Sequence, residues 1–418
     1  VDLFNEHLWA HDWSGGEADD DSTSRTDEAR STFEDHLNEA YARIEQLRGG
    51  EMPLGRVPRD LIAVTALLAV GAPANCLLRA LGRARGAAAV RDPATIAAAA
   101  RASWAFRSLF NLPEVTALVR AGHPDDAYWR AVLDYAVAGN LQAVLDEYVH
   151  ILPDRLGILD TDSADATEQL ADALRDSLTV RTVSYSCHDI ADDGDGFKFR
   201  QGRHRLRGRF ALRFGQDRVE ETGDTTRTTQ VRDAFNSPFW PFVLATTSVG
   251  QEGLDFHSYC HTCVHWNLPG NPVDLEQREG RVHRYKGHAV RKNVAARHHG
   301  AAFLDGEDPW AALFDAAIAE RGTTTNDLVP YWVFPGEHHI ERVVPNLPLS
   351  REIGRLAALR RSVAAYRLVI GQPRQDDLLQ WLASRYSEEE LTRLHEELRI
   401  DLAPPPASVR STQRSARG

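Results

Sequence analysis

Two arginines carry the clearest chemistry in this sequence. They lie in the stretch QREGRVHRYKGH, residues 277–288. On a helix, a spacing of four, three and four would place four residues on one face: Gln277, Arg281, Arg284 and His288. Guanidinium groups one turn apart can bind a polyphosphate, because each stays charged and its planar fork matches phosphate oxygens. Such a pair also stabilises the charge on a transferring phosphoryl group. The alternative is a solvated Arg/Glu helix face, which a bare R-x-x-R would favour.

The residues before the arginines predict the start of a helix. In NPVD, Asn271 can cap the first turn, Pro272 fits the first helical position and Asp274 completes a capping-box-like pattern. Gly280, inside this helix, costs about 1 kcal/mol relative to alanine. Its presence indicates that another backbone or a ligand comes close at this position.

Two apolar runs and a glycine-containing loop precede the helix. FVLATTS, residues 242–248, is typical of a parallel strand buried on both faces, and YCHTCVHWNL, residues 259–268, of a second one. The loop between them offers glycines and polar acceptors: Gly250, Gln251, Glu252, Gly253 and Asp255. Open α/β sheets bind ligands at the carboxyl ends of their strands, where this loop begins. Loop, strand and capped helix with QxxGRxxR, in that order, form a stronger signal than any one of them.

These segments resemble motifs of the second RecA-like lobe of superfamily 2 helicases and translocases. VLATTSVGQEGLDF resembles motif V with its extension, and LEQREGRVHRYKG resembles motif VI. The form HWNLPGNPVDLEQREGRVHR is most similar to Swi/Snf-like translocases and to bacterial translocases that recycle RNA polymerase. The resemblance covers residues 179–296 and is sharpest over 242–288.

The resemblance implies a role for each matching residue. Arg281 and Arg284 would be arginine fingers that reach the γ-phosphate of ATP. Other residues would bind ATP or couple its state to nucleic acid: Glu252, Gly253, Asp255, Gln277 and Gly280. A run of hydroxyls would lie near nucleic-acid phosphates: Thr246, Thr247 and Ser248. The implied cofactors are ATP and Mg²⁺, and the implied partner is nucleic acid, in particular double-stranded DNA.

A first lobe is not recognisable in the sequence. Its phosphate loop would read GxxxxGK[ST], and none of the three lysines lies in that context: Lys198, Lys286 and Lys292. Of two Asp-Glu pairs considered for Mg²⁺, Asp27-Glu28 lacks a preceding buried strand and Asp146-Glu147 lies inside a helical pattern. ATP hydrolysis is therefore expected to need a first lobe, from a longer parent or another chain, which would hold most of the Mg²⁺ contacts. The alternative is a nucleic-acid-binding or scaffold protein that kept the second lobe and does not hydrolyse ATP.

A row of arginines leaves two interpretations open. The residues alternate along a predicted strand, which places them on one side of it: Arg203, Arg205, Arg207 and Arg209. They could contact nucleic-acid phosphates, or they could protect a solvated strand edge by their charge. Since the net charge of the chain is −12, nucleic-acid binding has to be local.

The C-x-x-C pair in the second apolar run does not predict a metal site. Cys260 and Cys263 have a spacing that suits two zinc ligands, but a second pair is missing. On a strand they would also point to opposite faces. Buried cysteines are the preferred interpretation.

The 418 residues predict an α/β RecA-like parallel-sheet domain at 176–300, flanked by largely α-helical regions. The other predicted segments are a weakly ordered to helical N-terminus (1–50), a helical region (51–175), a helical C-terminal region (301–405) and a disordered tail (406–418).

The apolar run 61–78 is interrupted by glycine, proline and asparagine, so a buried helical hairpin is favoured over a membrane span. The opening residues carry no basic region of a signal peptide, and a cytoplasmic protein is expected. The chain starts at Val1 and has its one methionine at Met52, which leaves a fragment and a non-standard start codon both open.

Overall fold

The computed structural model describes residues 23–51, 56–122, 127–158, 163–179, 183–192, 197–208, 230–246, 255–301, 306–321, 328–345, 350–369 and 374–398. The chain divides into two compact units. The first consists of Val1–Ala211 with Phe303–Ala311, and the second of Leu212–Ala302 with Ala312–Gly418.

The first unit is largely helical. Its helices are α1 (Thr23–Arg48), α2 (Leu61–Gly71), α3 (Pro73–Arg85), α4 (Pro93–Ser103), α5 (Ala105–Phe110), α6 (Pro113–Gly122), α7 (Tyr128–Ala138), α8 (Leu141–Leu156) and α9 (Ala164–Leu178). Side-chain caps begin several of these helices. At the start of α4, the Asp92 carboxylate accepts a hydrogen bond from Thr95 N at 3.2 Å, and Pro93 follows in the first turn. The core consists of large apolar side chains of α3, α5, α8 and α9: Leu77, Leu81, Phe106, Leu145, Tyr148, Leu152, Leu170 and Leu174.

The apolar run at 61–78 does not form a buried hairpin, and that prediction is wrong. Helices α2 and α3 meet at a bend of 42°, and α2 exposes several of its apolar side chains: Leu61, Ile62, Leu68 and Val70. Only one face of α2 is covered, through Val64, Leu67 and Gly71, and Gly71 lies against α7. In the part of the chain that the structure describes, no single helix meets the length and hydropathy of a membrane span, whereas α2 and α3 together do.

Two strands of the first unit form an antiparallel hairpin. Strand β1 (Val183–Asp192) pairs with β2 (Phe197–Gly208), with an irregularity between Cys187 and Asp189. A four-residue connection at 193–196 can join only antiparallel neighbours, because parallel pairing needs a crossover of a dozen or more residues. These two strands fall within the segment predicted as a parallel-sheet domain, but they pair with each other antiparallel.

The second unit contains a short parallel sheet among helices. Its elements are α10 (230–235), β3 (Thr262–Val264), α11 (Pro272–Gly280), α12 (His288–His298), α13 (Pro309–Arg321), β4 (Glu341–Val343), α14 (Glu352–Leu368), α15 (Gln375–Arg385) and α16 (Glu388–Leu398); α13 begins within the Phe303–Ala311 segment. Strands β3 and β4 pair in parallel, and His265 N donates to Val343 O at 2.8 Å at their end.

The sheet differs from the sequence prediction in its strands. The second predicted strand is present as β3, but its neighbour β4 lies in the region predicted to be helical. Of the strand predicted at 242–248, residues 242–246 are described and adopt no strand, and Phe242 and Val243 are 69% and 84% exposed. An apolar run becomes a buried strand only where strands pair beside it, and no described strand pairs with 242–246.

Candidate functional site: an arginine groove at the end of α11

Helix α11 begins where its sequence predicts. The Asn271 side chain accepts from Asp274 N at 2.8 Å, Pro272 occupies the first turn and Leu275 is fully buried. The helix ends at Gly280, with Arg281 as its last cap residue. The single helical face from Gln277 to His288 depended on the helix continuing that far, and it does not, because His288 begins α12.

Hydrogen bonds to neighbouring segments explain why the helix stops. Phe256 N donates to Arg281 O at 3.0 Å, and Lys286 N donates to Tyr331 O at 2.8 Å. Lys286 also has a φ of 48°, in the left-handed region that an α-helix excludes. Backbone groups that would continue the helix are thereby used in tertiary contacts.

The turn after α11 nevertheless keeps the two arginines together. A groove of about 580 Å³ lies beside the end of the helix. It is lined by Asp255, Val273, Glu276, Gln277, Gly280, Arg281, Arg284 and Tyr366. Five of the site residues predicted from the sequence thus share one concave surface, and Val273, Glu276 and Tyr366 join them.

Arg284 forms an ion pair at the rim of this groove. Its Nε lies 2.9 Å from Oδ1 of Asp255, and both side chains are about half exposed, at 40% and 51%. An ion pair this accessible to water contributes little to stability. Arg284 can therefore exchange Asp255 for another anion at small cost.

The backbone of Asp255 is fixed from beneath by the end of α10. The Nδ2 group of Asn236 donates to Asp255 O at 2.7 Å, and Asn236 Oδ1 accepts from Ser258 N at 3.2 Å. Asn236 is only 3% exposed. One buried amide therefore holds the segment on which Asp255 stands, while the Asp255 side chain remains at the groove.

Arg291 is a positioning residue that the sequence reasoning missed. It is fully buried in α12, its Nη1 donates to Lys286 O at 2.7 Å, and its Nη2 donates to Ser258 O. Its guanidinium also lies 5.1 Å from the centre of the Tyr259 ring. Arg291 thus joins the segment after Asp255 to the turn after Arg284. The sequence HAVRKNVAARH of α12 carries no local pattern that marks this arginine as buried.

Glu279 connects α11 to the parallel sheet. Its carboxylate accepts from Arg342 of β4 at 2.5 and 2.7 Å and contacts His265 Nε2 at 3.1 Å. Burial opposes ionisation of this group, yet the hydrogen bonds from Arg342 and His265 lower the pKa of Glu279 to about 2. Glu279 is therefore ionised at neutral pH and fixes the rotation of α11 relative to β3 and β4.

Helix α14 forms the remaining side of the groove. Arg367 contacts Oε1 of Glu276 through Nε at 2.8 Å and through Nη2 at 2.7 Å. Leu359 and Val363 of α14 pack with Leu268 and Leu275 in one buried cluster. The neighbour of Arg367, Tyr366, consequently faces the groove.

The other predicted site residues lie apart from the groove or outside the described residues. Thr246 is described and exposed. Arg203 and Arg205 occupy alternate positions of β2, in the first unit. The remaining candidates belong to segments that the structure does not describe: Thr247, Ser248, Glu252 and Gly253.

The cysteine pair carries no sign of metal binding chemistry. Burial raises the pKa of both thiols, and for Cys263, which lies near Cys260 and Glu279, to about 12. Within the described ranges no three His, Cys, Asp or Glu side chains are grouped as metal ligands would be. The two thiols are protonated at neutral pH and pack as small, weakly polar side chains.

Comparison with protein families bears on the same segment. Residues 201–286 match the model of the helicase conserved C-terminal domain. This helicase C-terminal domain implies a RecA-like fold and a second lobe of the superfamily 2 type. The matched segment includes Arg203, Arg205 and the whole of α11 with Arg281 and Arg284, and it ends before α12 and α14. Comparison with curated proteins and with solved structures gave no match.

Proposed function

We propose that the chain is the C-terminal half of an ATP-dependent helicase or double-stranded DNA translocase. In this role Arg281 and Arg284 complete an ATP site whose phosphate loop belongs to a first lobe. The observation that supports this most is the groove beside α11, which brings both guanidinium groups together with Asp255 of the preceding loop. The helicase C-terminal domain match over 201–286 supports it independently.

The two arginines would act on the phosphate end of the nucleotide. Their positive charge offsets the negative charge that develops on the transferring phosphoryl group. Arg284 first has to leave Asp255, and a polyphosphate compensates for this loss by accepting charge-assisted hydrogen bonds. Because Asp255 belongs to the loop that resembles motif V, its release links the nucleotide to the segment expected to contact nucleic acid.

In this proposal Mg²⁺ is held mainly by the first lobe. Among the described residues that line the groove, the acidic ones are Asp255 and Glu276, and each forms an ion pair with an arginine. A cation that needs several free carboxylate or water ligands is therefore poorly served by the groove alone. Bound Mg²⁺ would supply charge neutralisation between the phosphates.

Nucleic acid would be held by local contacts. Thr246, Thr247 and Ser248 offer hydroxyl groups to backbone phosphates, and Arg203 and Arg205 offer charge. None of these contacts depends on the overall charge of the chain, which is acidic. The sequence form of the motif VI region favours double-stranded DNA as the partner.

The test is the ATPase activity of the chain with and without a candidate first lobe, in the presence and absence of duplex DNA. Turnover should require both the lobe and the DNA. In the complete system, Arg281→Ala or Arg284→Ala should lower turnover by about 10³-fold or more, because each removes transition-state charge compensation. ATP binding by the complete system should be largely kept.

Arg278→Ala is the matched control, because Arg278 lies on the same helix but does not line the groove. Its turnover should stay near that of the unmodified chain. Unchanged turnover in both finger variants would remove Arg281 and Arg284 from the catalytic role. DNA binding without turnover, for every first lobe tried, would favour the scaffold alternative.

A further inference from the structure

The arginine groove has two chemically different ends. Its lining includes Arg281 and Arg284 after the C-terminal end of α11, Val273 in the first turn of that helix, and Tyr366 of α14. The pair between Arg367 and Glu276 places the neighbouring Tyr366 near the level of Glu276 along α11. Glu276 and Gly280 are four residues apart, which corresponds to about 6 Å of helix axis. The groove therefore suits an elongated ligand that is anionic at one end and flat or apolar at the other.

The volume of the groove also suits an elongated ligand. Its volume of about 580 Å³ lies within the roughly 300–1,000 Å³ of sites for small molecules and cofactors. A phosphate group alone would leave most of that space to water. A nucleoside triphosphate combines an anionic tail with a flat aromatic base, and tyrosine rings stack on such bases.

The charge of the groove is also adjusted by α14. Glu276 would repel phosphates if it were unpaired, but its carboxylate accepts from Arg367 at 2.7 and 2.8 Å. Tyr366 itself is partly exposed. Helix α14 thus contributes both a ring that faces the groove and a guanidinium that neutralises one of its acidic walls.

We infer that Tyr366 is a nucleobase-binding residue of this groove, stacking on the base of the nucleotide whose phosphates Arg281 and Arg284 hold. This inference rests on the proposed function for the phosphate end. It assigns the base end to α14, which lies outside the segment that matches the helicase C-terminal domain. The helical C-terminal region then takes part in nucleotide binding and is more than a structural flank.

The experiment compares two ligands by isothermal titration of the full chain: ATP and inorganic tripolyphosphate. Tyr366→Ala should weaken ATP binding by about tenfold and leave tripolyphosphate binding unchanged. Tyr366→Phe should bind ATP as the unmodified chain does. Tyr366→Leu keeps an apolar side chain against α11 but has no aromatic face. It should therefore weaken ATP binding as Tyr366→Ala does, and it controls for any loosening of α14 by alanine. Tyr386→Ala, which removes another partly exposed tyrosine outside the groove, should change neither affinity.

The outcomes separate this inference from the function on which it rests. Arg281→Ala and Arg284→Ala should weaken both ligands. If they do so while Tyr366→Leu binds ATP normally, or loses ATP and tripolyphosphate equally, the role of Tyr366 is overturned and the phosphate site stands. If neither ligand binds at millimolar concentration, the groove of this chain does not hold a nucleotide by itself and the inference is overturned. If binding ignores both arginines, the phosphate site fails and the inference fails with it.

Discussion

Arg284 shows how little of this site is fixed before a ligand arrives. The side chain of its partner Asp255 is half exposed. Arg291, in contrast, is fully buried and donates to two backbone carbonyls. Arg284 can therefore change its partner easily, whereas Arg291 cannot. A residue that must change partners during a reaction and a residue that must hold a loop therefore have opposite environments within one short stretch of chain.

Gly280 provides a prediction at the residue scale. A Cβ at this position would have one neighbour within 4 Å, Arg284 Nη1 at 3.8 Å, which is an ordinary contact. Among the described residues no backbone lies close enough to require a glycine here, and we interpret the space as room for a ligand. Gly280→Ala should leave the unfolding free energy unchanged or raise it by up to about 1 kcal/mol, and should weaken ATP binding severalfold.

Urea unfolding and ATP titration of the same preparation check both parts of this prediction. Gly354→Ala on α14 is the matched control, because its Cβ would meet no neighbour within 4 Å and it does not line the groove. A Gly280→Ala protein that binds ATP normally would show that the ligand does not approach this end of α11.

At the scale of elements, α11 is held against the sheet by the carboxylate of Glu279. Arg342 and His265 lower the pKa of this group to about 2, against the effect of burial. A carboxylate whose pKa is lowered by folding stabilises the folded state. This contribution is fully present above the pKa of the group in the unfolded chain, about 4.3, and is lost as the pH falls toward the folded pKa of about 2. Glu279→Gln should therefore lower the unfolding free energy by about 2 kcal/mol at pH 7, and the difference from the unmodified chain should shrink below pH 4.

Urea unfolding at pH 7 and at pH 3 measures that difference. His288, whose pKa burial and the nearby Arg291 and His261 lower to about 3, also titrates in acid, but it does so in both proteins and cancels. Glu320→Gln, in a surface pair with Arg297, is the control and should change stability far less. A difference that does not depend on pH would mean that Glu279 acts by packing and not by its charge.

The elements also show what the sequence could and could not predict. The start of helix α11 was predictable because its cap and its proline are local signals, and its hydrogen bonds follow them. The end of the helix at Gly280 was not, since Phe256 and Tyr331 supply the competing backbone bonds from distant positions. Strand β4 is three residues long and lies in a region predicted to be helical. It is too short for a periodic pattern. Tyr366 and Arg291 were missed because a partly exposed tyrosine and a helical arginine gain meaning only from their neighbours in space.

At the scale of the whole molecule, the question is how an acidic chain would bind DNA. The net charge of −12 opposes association at long range, so binding has to come from a few phosphate contacts. Arg203 and Arg205 of β2 remain open between such contacts and the protection of a strand edge. Replacing both by alanine should reduce the slope of log K against log salt by about 2 in magnitude if each one neutralises a phosphate.

Fluorescence anisotropy with a duplex oligonucleotide over a range of salt concentrations measures this slope. Arg360→Ala together with Arg355→Ala, on the exposed part of α14, is a control that removes the same charge elsewhere. Equal slopes for the double variant of β2 and the unmodified chain would assign Arg203 and Arg205 to the strand edge.

The claim on which the account depends is that Arg281 and Arg284 face the terminal phosphates of a bound nucleotide. A crystal structure of the chain with its first lobe and a non-hydrolysable ATP analogue tests it most directly. The account predicts both guanidinium groups at about 3 Å from phosphate oxygens, with Arg284 released from Asp255. Phosphates bound elsewhere, with Arg284 still paired to Asp255, would contradict it.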